Sequence, residues 1–174
     1  MNLPTWITVS RLVGVPLVFW ALQLPTEGGR WLAAGIFLLA AGTDWLDGYL
    51  ARRLDQVTEL GKFLDPLVDK LLVLAPLLAL VGLGEIPAGG VFLVLARELT
   101  IAGWRVSPTL QAGTIPGANL WGKAKTGVQV AAITLLLCPW GLHYRGVALG
   151  LFWLAVLLTW LSGLIYLWPQ RSHA

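Results

Sequence analysis

Asp44 and Asp47 stand three residues apart, and Asp65 and Asp69 four apart, in a stretch otherwise rich in leucine, alanine and glycine. On helices, either spacing places both carboxylates of a pair on one face. With one helix ending near Arg53 and the next beginning near Thr58, Asp47 and Asp65 lie about 9 and about 10 Å from the intervening turn at 1.5 Å per residue, so the pairs meet at matching depth. Four carboxylates at one level repel one another unless positive charge sits among them, and hard divalent cations with oxygen ligands answer that need. Gly48 and Ala51 follow on nearly the same face, and Gly61 precedes Asp65 and Asp69 at steps of four, which lets a ligand approach the backbone. Arg52 can reach a phosphate oxygen. Carboxylates for metal, small residues for access and a guanidinium for phosphate describe a phosphoryl-transfer site. Asp55 and Glu59, in the predicted loop, are solvated charges that partly balance Arg52 and Arg53.

The elements that must hold these groups are membrane helices. The 174 residues are 57% hydrophobic and 12% charged, with a mean hydropathy of +0.75, whereas a soluble domain carries about 25% charge. Apolar runs at Pro4–Pro25, Trp31–Leu50, Phe63–Gly84, Ile86–Val106, Ala124–Leu142 and Gly146–Trp168 are each near the roughly 20 residues that span a bilayer. The expected fold is all-α: one domain over residues 1–174, an integral membrane bundle of six transmembrane helices. Asn2, Thr5, Thr8 and Arg11 alternate with apolar neighbours in the pattern of an interfacial segment, so the first run has room for a short N-terminal interfacial helix. With no basic region at its start and Arg11 inside its apolar run, the first helix does not read as a cleaved signal.

Intramembrane acids are expensive and by default functional. Alternating connections put Arg52, Arg53, Lys62, Arg105, Lys123, Lys125 and Arg171 on one side and Arg30 and Arg145 on the other. The positive-inside rule makes the first side cytoplasmic, with both termini and the aspartates there. Trp31, Trp140 and Trp168 fit an aromatic belt. The net charge of +3 suits anionic headgroups, and no basic stripe or stacking motif points to nucleic acid. Cys138, the lone cysteine, excludes an internal disulfide and reads as a small apolar residue; His143 reads as a surface residue.

The run Asp44-x2-Asp47-Gly48-x2-Ala51-Arg52-x8-Gly61-x3-Asp65-x3-Asp69 resembles the complete signature of the CDP-alcohol phosphotransferases. NLPTWITVSR, ARELTIAGWR from Ala96 and GKAKTGVQ from Gly122 are similar to segments of the bacterial branch that uses glycerol 3-phosphate, so the resemblance covers about residues 2 to 130. It implies six transmembrane helices, a homodimer in the bacterial cytoplasmic membrane, and a magnesium or manganese pair held by Asp44, Asp47, Asp65 and Asp69. Gly48, Ala51, Arg52 and Gly61 would bind the donor, CDP-diacylglycerol. The implied reaction gives phosphatidylglycerophosphate and CMP from that donor and sn-glycerol 3-phosphate. By the same resemblance Asp69 is the general base, although spacing alone does not select it over Asp65.

An acceptor that carries a phosphate dianion wants cations of its own. Arg97 lies midway along the fourth run, where an arginine is costly unless it faces a polar cavity. Arg97, Lys123 and Lys125, with Arg105 beside them, form the expected acceptor pocket, and Glu98 is placed to pair with a neighbouring arginine and orient it. Lys70 is turned about 100° from Asp69 and reads as a structural charge. Arg11 suits either a lipid phosphate or the acidic site. Two other readings use the same residues: a cardiolipin synthase or relative with another acceptor, and a divalent-cation channel or transporter, which would have no use for Gly48, Ala51, Arg52 and Gly61.

Overall fold

The computed structural model describes the backbone of residues 3–54, 59–106 and 120–167, and the side chains of residues 10–43, 67–104 and 124–165. These residues are helical, without a strand: α1 (Leu3–Gln23), α2 (Glu27–Leu54), α3 (Glu59–Gly82), α4 (Ala88–Val106), α5 (Leu120–Leu137), α6 (Trp140–His143) and α7 (Arg145–Leu167). The six long helices coincide with the six apolar runs, and α1 is continuous from Leu3, with no break setting off an interfacial segment. Within the fifth run the chain turns at Cys138 and Pro139 before the single-turn α6. Proline disfavours helical geometry in the residue before it, which accounts for the stop. α2 and α3 extend past their apolar runs, to Leu54 and back to Glu59, so the charged residues around the aspartates are helical too.

Local chemistry sets the turns. The Thr26 hydroxyl accepts the Gly29 N–H at 3.1 Å and caps α2, where Glu27 also faces the positive end of the helix. α3 closes with two reversed hydrogen bonds, Glu85 N–H to Leu80 O at 3.0 Å and Gly84 N–H to Val81 O at 2.9 Å. Gly84 takes the left-handed φ of 70° that this Schellman closure needs. Pro87 then precedes α4, with its carbonyl accepting the Gly90 N–H at 3.1 Å.

The long helices pack as a ring in the order α1, α2, α5, α7, α4, α3, with α3 also touching α5 and α2 across the middle. Ala33, Ala34 and Ala40 on α2 allow close approach to Val18 and Ala21 on α1, and Phe37, Leu77, Leu80, Ile133 and Leu137 fill the centre. Among the described residues α5 shows no exposed large apolar side chain, whereas α1, α2, α3, α4 and α7 all do, including Leu39, Phe92 and Val147. An apolar exterior this extensive is compatible with a surrounding of lipid. One segment, Arg145–Ile165 of α7, is by itself long and apolar enough to cross a membrane; Ser10–Gln23 and Ala124–Leu137 are shorter apolar stretches.

One end of the bundle is held by a charged clasp. Arg30, at the start of α2, pairs with Glu85 in the α3–α4 turn and donates to the Leu136 carbonyl at 3.3 Å. Arg145, at the start of α7, donates to the carbonyls of Gly84 and Glu85 at 3.4 Å each. Trp31 and Trp140 meet edge to face at 5.3 Å. Glu85 and Arg30 are mostly buried, so removal of one partner leaves a charge without its answer. Glu85→Ala is expected to lower the unfolding free energy in detergent by about 3 kcal/mol. A double-mutant cycle with Arg30→Ala should return a coupling of about 1 kcal/mol or more; additive losses would show that the pair contributes nothing.

Candidate functional site

The signature residues fall where the helix spacing requires. Asp44, Asp47, Gly48, Ala51 and Arg52 lie in the last part of α2, and Gly61, Asp65 and Asp69 in the first part of α3. Asp47 is seven residues before the end of α2 and Asp65 six after the start of α3, about 10 Å from the turn in each case, and the two helices touch. The side chains of Asp44, Asp47, Gly48, Ala51, Arg52, Gly61 and Asp65 lie outside the described residues, as do those of Arg105 and Lys123.

Asp69 is described, and α1 supplies its neighbour. Arg11 donates from Nη1 to Asp69 Oδ1 at 3.3 Å. The arginine is only 2% exposed while the carboxylate is 50% exposed, so a deeply buried cation supports an acid that still faces outward. Of the two roles open to Arg11, its contact is with the acidic site. This pairing explains how α1 tolerates the charge, since a buried guanidinium needs an acceptor.

A second group assembles on the other side of α3. On α4, Arg97 donates from Nη1 to Glu98 Oε1 at 3.0 Å, and Lys125 of α5 pairs with the same carboxylate oxygen. Arg97 also donates from Nη2 to Ser162 Oγ of α7 at 3.0 Å. Lys70 of α3 adds its charge to the field at Glu98, without a direct ion pair to it among the described residues. Arg97, Glu98 and Lys125 are all mostly buried. The expected pairing of Glu98 with an arginine is therefore present, and the lysine joins it.

Asp69 and Lys70 are consecutive on α3 and address different helices: Asp69 meets Arg11 of α1, and Lys70 bears on Glu98 of α4. The helical turn of about 100° per residue makes this division. α3 thus lies between α1, which brings Arg11 to Asp69, and α4, whose Glu98 gathers Arg97 and Lys125.

Two contributors escaped sequence reasoning. Ser162 and Gly163 lie in α7, the most uniformly apolar helix, and both touch Arg97: Ser162 through its hydroxyl, and Gly163 through a surface so close that a β-carbon there would stand 2.9 Å from Arg97 Nε. The only available signal was a small polar pair in an apolar helix, which also marks ordinary helix packing. Cys138 is buried, as a small apolar residue would be, and exposed His143 donates from Nδ1 to the Pro139 carbonyl at 3.2 Å when protonated there.

Comparison with known proteins agrees with this arrangement. The family model described as CDP-alcohol phosphatidyltransferase matches residues 1–161. The chain is 40% identical over 182 residues to the CDP-diacylglycerol–glycerol-3-phosphate 3-phosphatidyltransferase of Bacillus subtilis (strain 168), with 95% of this chain and 93% of the relative covered. It is 37% identical to the enzyme of the same name from Pseudomonas fluorescens, with 98% and 92% covered. It is 36% identical to that from Sodalis glossinidius (strain morsitans), with 98% and 96% covered. The aspartate signature, the helices that carry it and this match over most of the length have one meaning: the chain belongs to the CDP-alcohol phosphatidyltransferase family.

Proposed function

We propose that this protein transfers the phosphatidyl group of CDP-diacylglycerol to sn-glycerol 3-phosphate, forming phosphatidylglycerophosphate and CMP. The observation that carries the choice of acceptor is the gathering of Arg97 and Lys125 on Glu98. A dianionic acceptor phosphate requires such a concentration of cations, and a lipid acceptor without a terminal phosphate does not. The names of the relatives describe the same transfer.

In the reaction, the glycerol hydroxyl attacks the donor phosphorus on the diacylglycerol side of the pyrophosphate. Its oxygen forms the new P–O bond, the bond to CMP breaks, and CMP departs with the electron pair. Asp69 takes the hydroxyl proton; its half-exposed carboxylate and the adjacent guanidinium of Arg11 hold an acceptor group at the boundary of the site. Arg97 and Lys125, with Lys123 and Arg105 from the neighbouring helix ends, orient the acceptor through its phosphate. Gly48, Ala51, Arg52 and Gly61 seat the CDP portion, and the acyl chains remain in lipid.

The donor set suits a divalent cation: hard carboxylate oxygens on two touching helices, with Asp69 open to its surroundings. Asp44, Asp47, Asp65 and Asp69 would hold two ions, magnesium or manganese. When bound, these supply neutralisation of the pyrophosphate and of the charge that develops on the leaving oxygen. The proposed setting is the bacterial cytoplasmic membrane, with six spans, a homodimeric assembly, and the site and both termini on the cytoplasmic side. In support, the clasp gathers the Arg30, Glu85 and Arg145 turns at the helix ends opposite those that carry Arg52, Arg53, Lys62, Arg105 and Lys123.

Purified protein in mixed micelles with CDP-diacylglycerol and magnesium should release CMP only when glycerol 3-phosphate is added, and the lipid product should be phosphatidylglycerophosphate; CMP with another acceptor alone would change the assigned substrate. A chelator should abolish release, with recovery on adding magnesium or manganese. Asp69→Asn is expected to retain CDP-diacylglycerol binding and lose about 10²-fold or more in kcat, and ordinary turnover would remove Asp69 as the base. Arg97→Ala should raise KM for glycerol 3-phosphate by about 10- to 100-fold, as expected for lost hydrogen bonds to a charged group, with a much smaller change in KM for the donor.

A further inference from the structure

We infer that Ser162 and Gly163 of α7 form a saddle that positions Arg97 for the acceptor phosphate, so that the last helix helps to set acceptor affinity without touching the donor site. The inference rests on the acceptor pocket proposed above and extends it to a helix outside the signature. The family model match ends at residue 161, just before this pair.

An arginine side chain has several rotatable bonds, and its reach is useful only if the guanidinium is held in one orientation. Three contacts hold it here. Glu98 Oε1 accepts from Nη1 at 3.0 Å on one side. Ser162 Oγ accepts from Nη2 at 3.0 Å on the other. Between them the stem lies across the backbone at Gly163, where an added β-carbon would come within 2.9 Å of Nε, 3.3 Å of Cγ and 3.7 Å of Cδ. The serine is itself oriented, for its hydroxyl donates to the Thr159 carbonyl at 3.0 Å. With that proton committed, the lone pairs of Oγ are directed outward to accept from the guanidinium.

This geometry leaves a specific set of donors. Each terminal nitrogen of Arg97 carries two N–H groups and has one bonded partner among the described residues, so each retains an N–H for a ligand oxygen. The Nε–H is buried without an acceptor among those residues, consistent with the backbone at Gly163 closing off that edge. Only the fork is available, the edge that binds phosphate oxygens side by side. Phe152 lies over Gly90 of α4, a second close contact between α4 and α7 that keeps the helices in register along their length.

The roles of Ser162 and Gly163 are those of positioning residues, and a split between kinetic constants distinguishes positioning from general support. Ser162→Ala should raise KM for glycerol 3-phosphate about tenfold while changing kcat and KM for CDP-diacylglycerol by less than about threefold. Ser162→Thr, which keeps the hydroxyl, should recover most of the loss. Gly163→Ala should act in the same direction, because the methyl group occupies the arginine's place. Unchanged acceptor KM in Ser162→Ala, or a loss shared equally by both substrates, would overturn the inference, even if Gly163→Ala fails to fold. Arg97→Ala, measured alongside, separates the two ideas: if it too leaves the acceptor KM unchanged, the acceptor pocket falls; if it alone raises that KM, only the saddle falls.

Discussion

A charge within a bundle of apolar helices has to be answered by another polar group, because the surrounding medium offers almost nothing in exchange for lost hydration. That demand organises this molecule more than any packing preference. Arg11 is answered by Asp69, Arg97 and Lys125 by Glu98, and Arg30 by Glu85. Each answer joins different parts of the fold: α1 to α3, α4 to α5, and the start of α2 to the α3–α4 turn. The ion pairs therefore tie together helices whose apolar surfaces alone would specify their arrangement poorly.

The functional consequence is a division made by one helix. Asp69 and Lys70 are adjacent in sequence, yet the pitch of α3 directs Asp69 to Arg11 of α1 and turns Lys70 about 100° away, where its charge acts on Glu98 of α4. Phosphoryl transfer between an anionic donor and an anionic acceptor has to bring two repelling substrates to a common phosphorus. On the reading proposed above, Arg97 and Lys125 offset that repulsion for the acceptor. The opposite end of the bundle carries the clasp of Arg30, Glu85 and Arg145.

The last helix acquires meaning only in this context. Viewed as a sequence, α7 is a long apolar stretch with large side chains turned outward. Its packing face carries Phe152 against Gly90 and the Ser162–Gly163 step against Arg97. α7 thereby contributes a flat surface and one oxygen to a cluster whose charges all come from other helices.

Much of the plan was legible without coordinates, because it rests on periodicity and on the cost of burying charge. The helical period alone set Asp44 with Asp47 and Asp65 with Asp69 on one face each, the lengths of the apolar runs announced six long helices, and the position of Arg97 in an apolar run marked it as a charge that needs polar partners. The stop of α5 at Cys138 is likewise explained by Pro139, a local effect. Contacts between distant segments were a different matter. Nothing local tells Arg11 to choose Asp69, 58 positions away, over a lipid phosphate, or tells Arg97 to lie on Ser162, 65 positions away. Sequence determines which residues are costly to bury and which face of a helix they occupy; only the tertiary structure decides which helix comes to meet that face, because pairing is selected by the packing of whole surfaces rather than by the neighbours of any one residue.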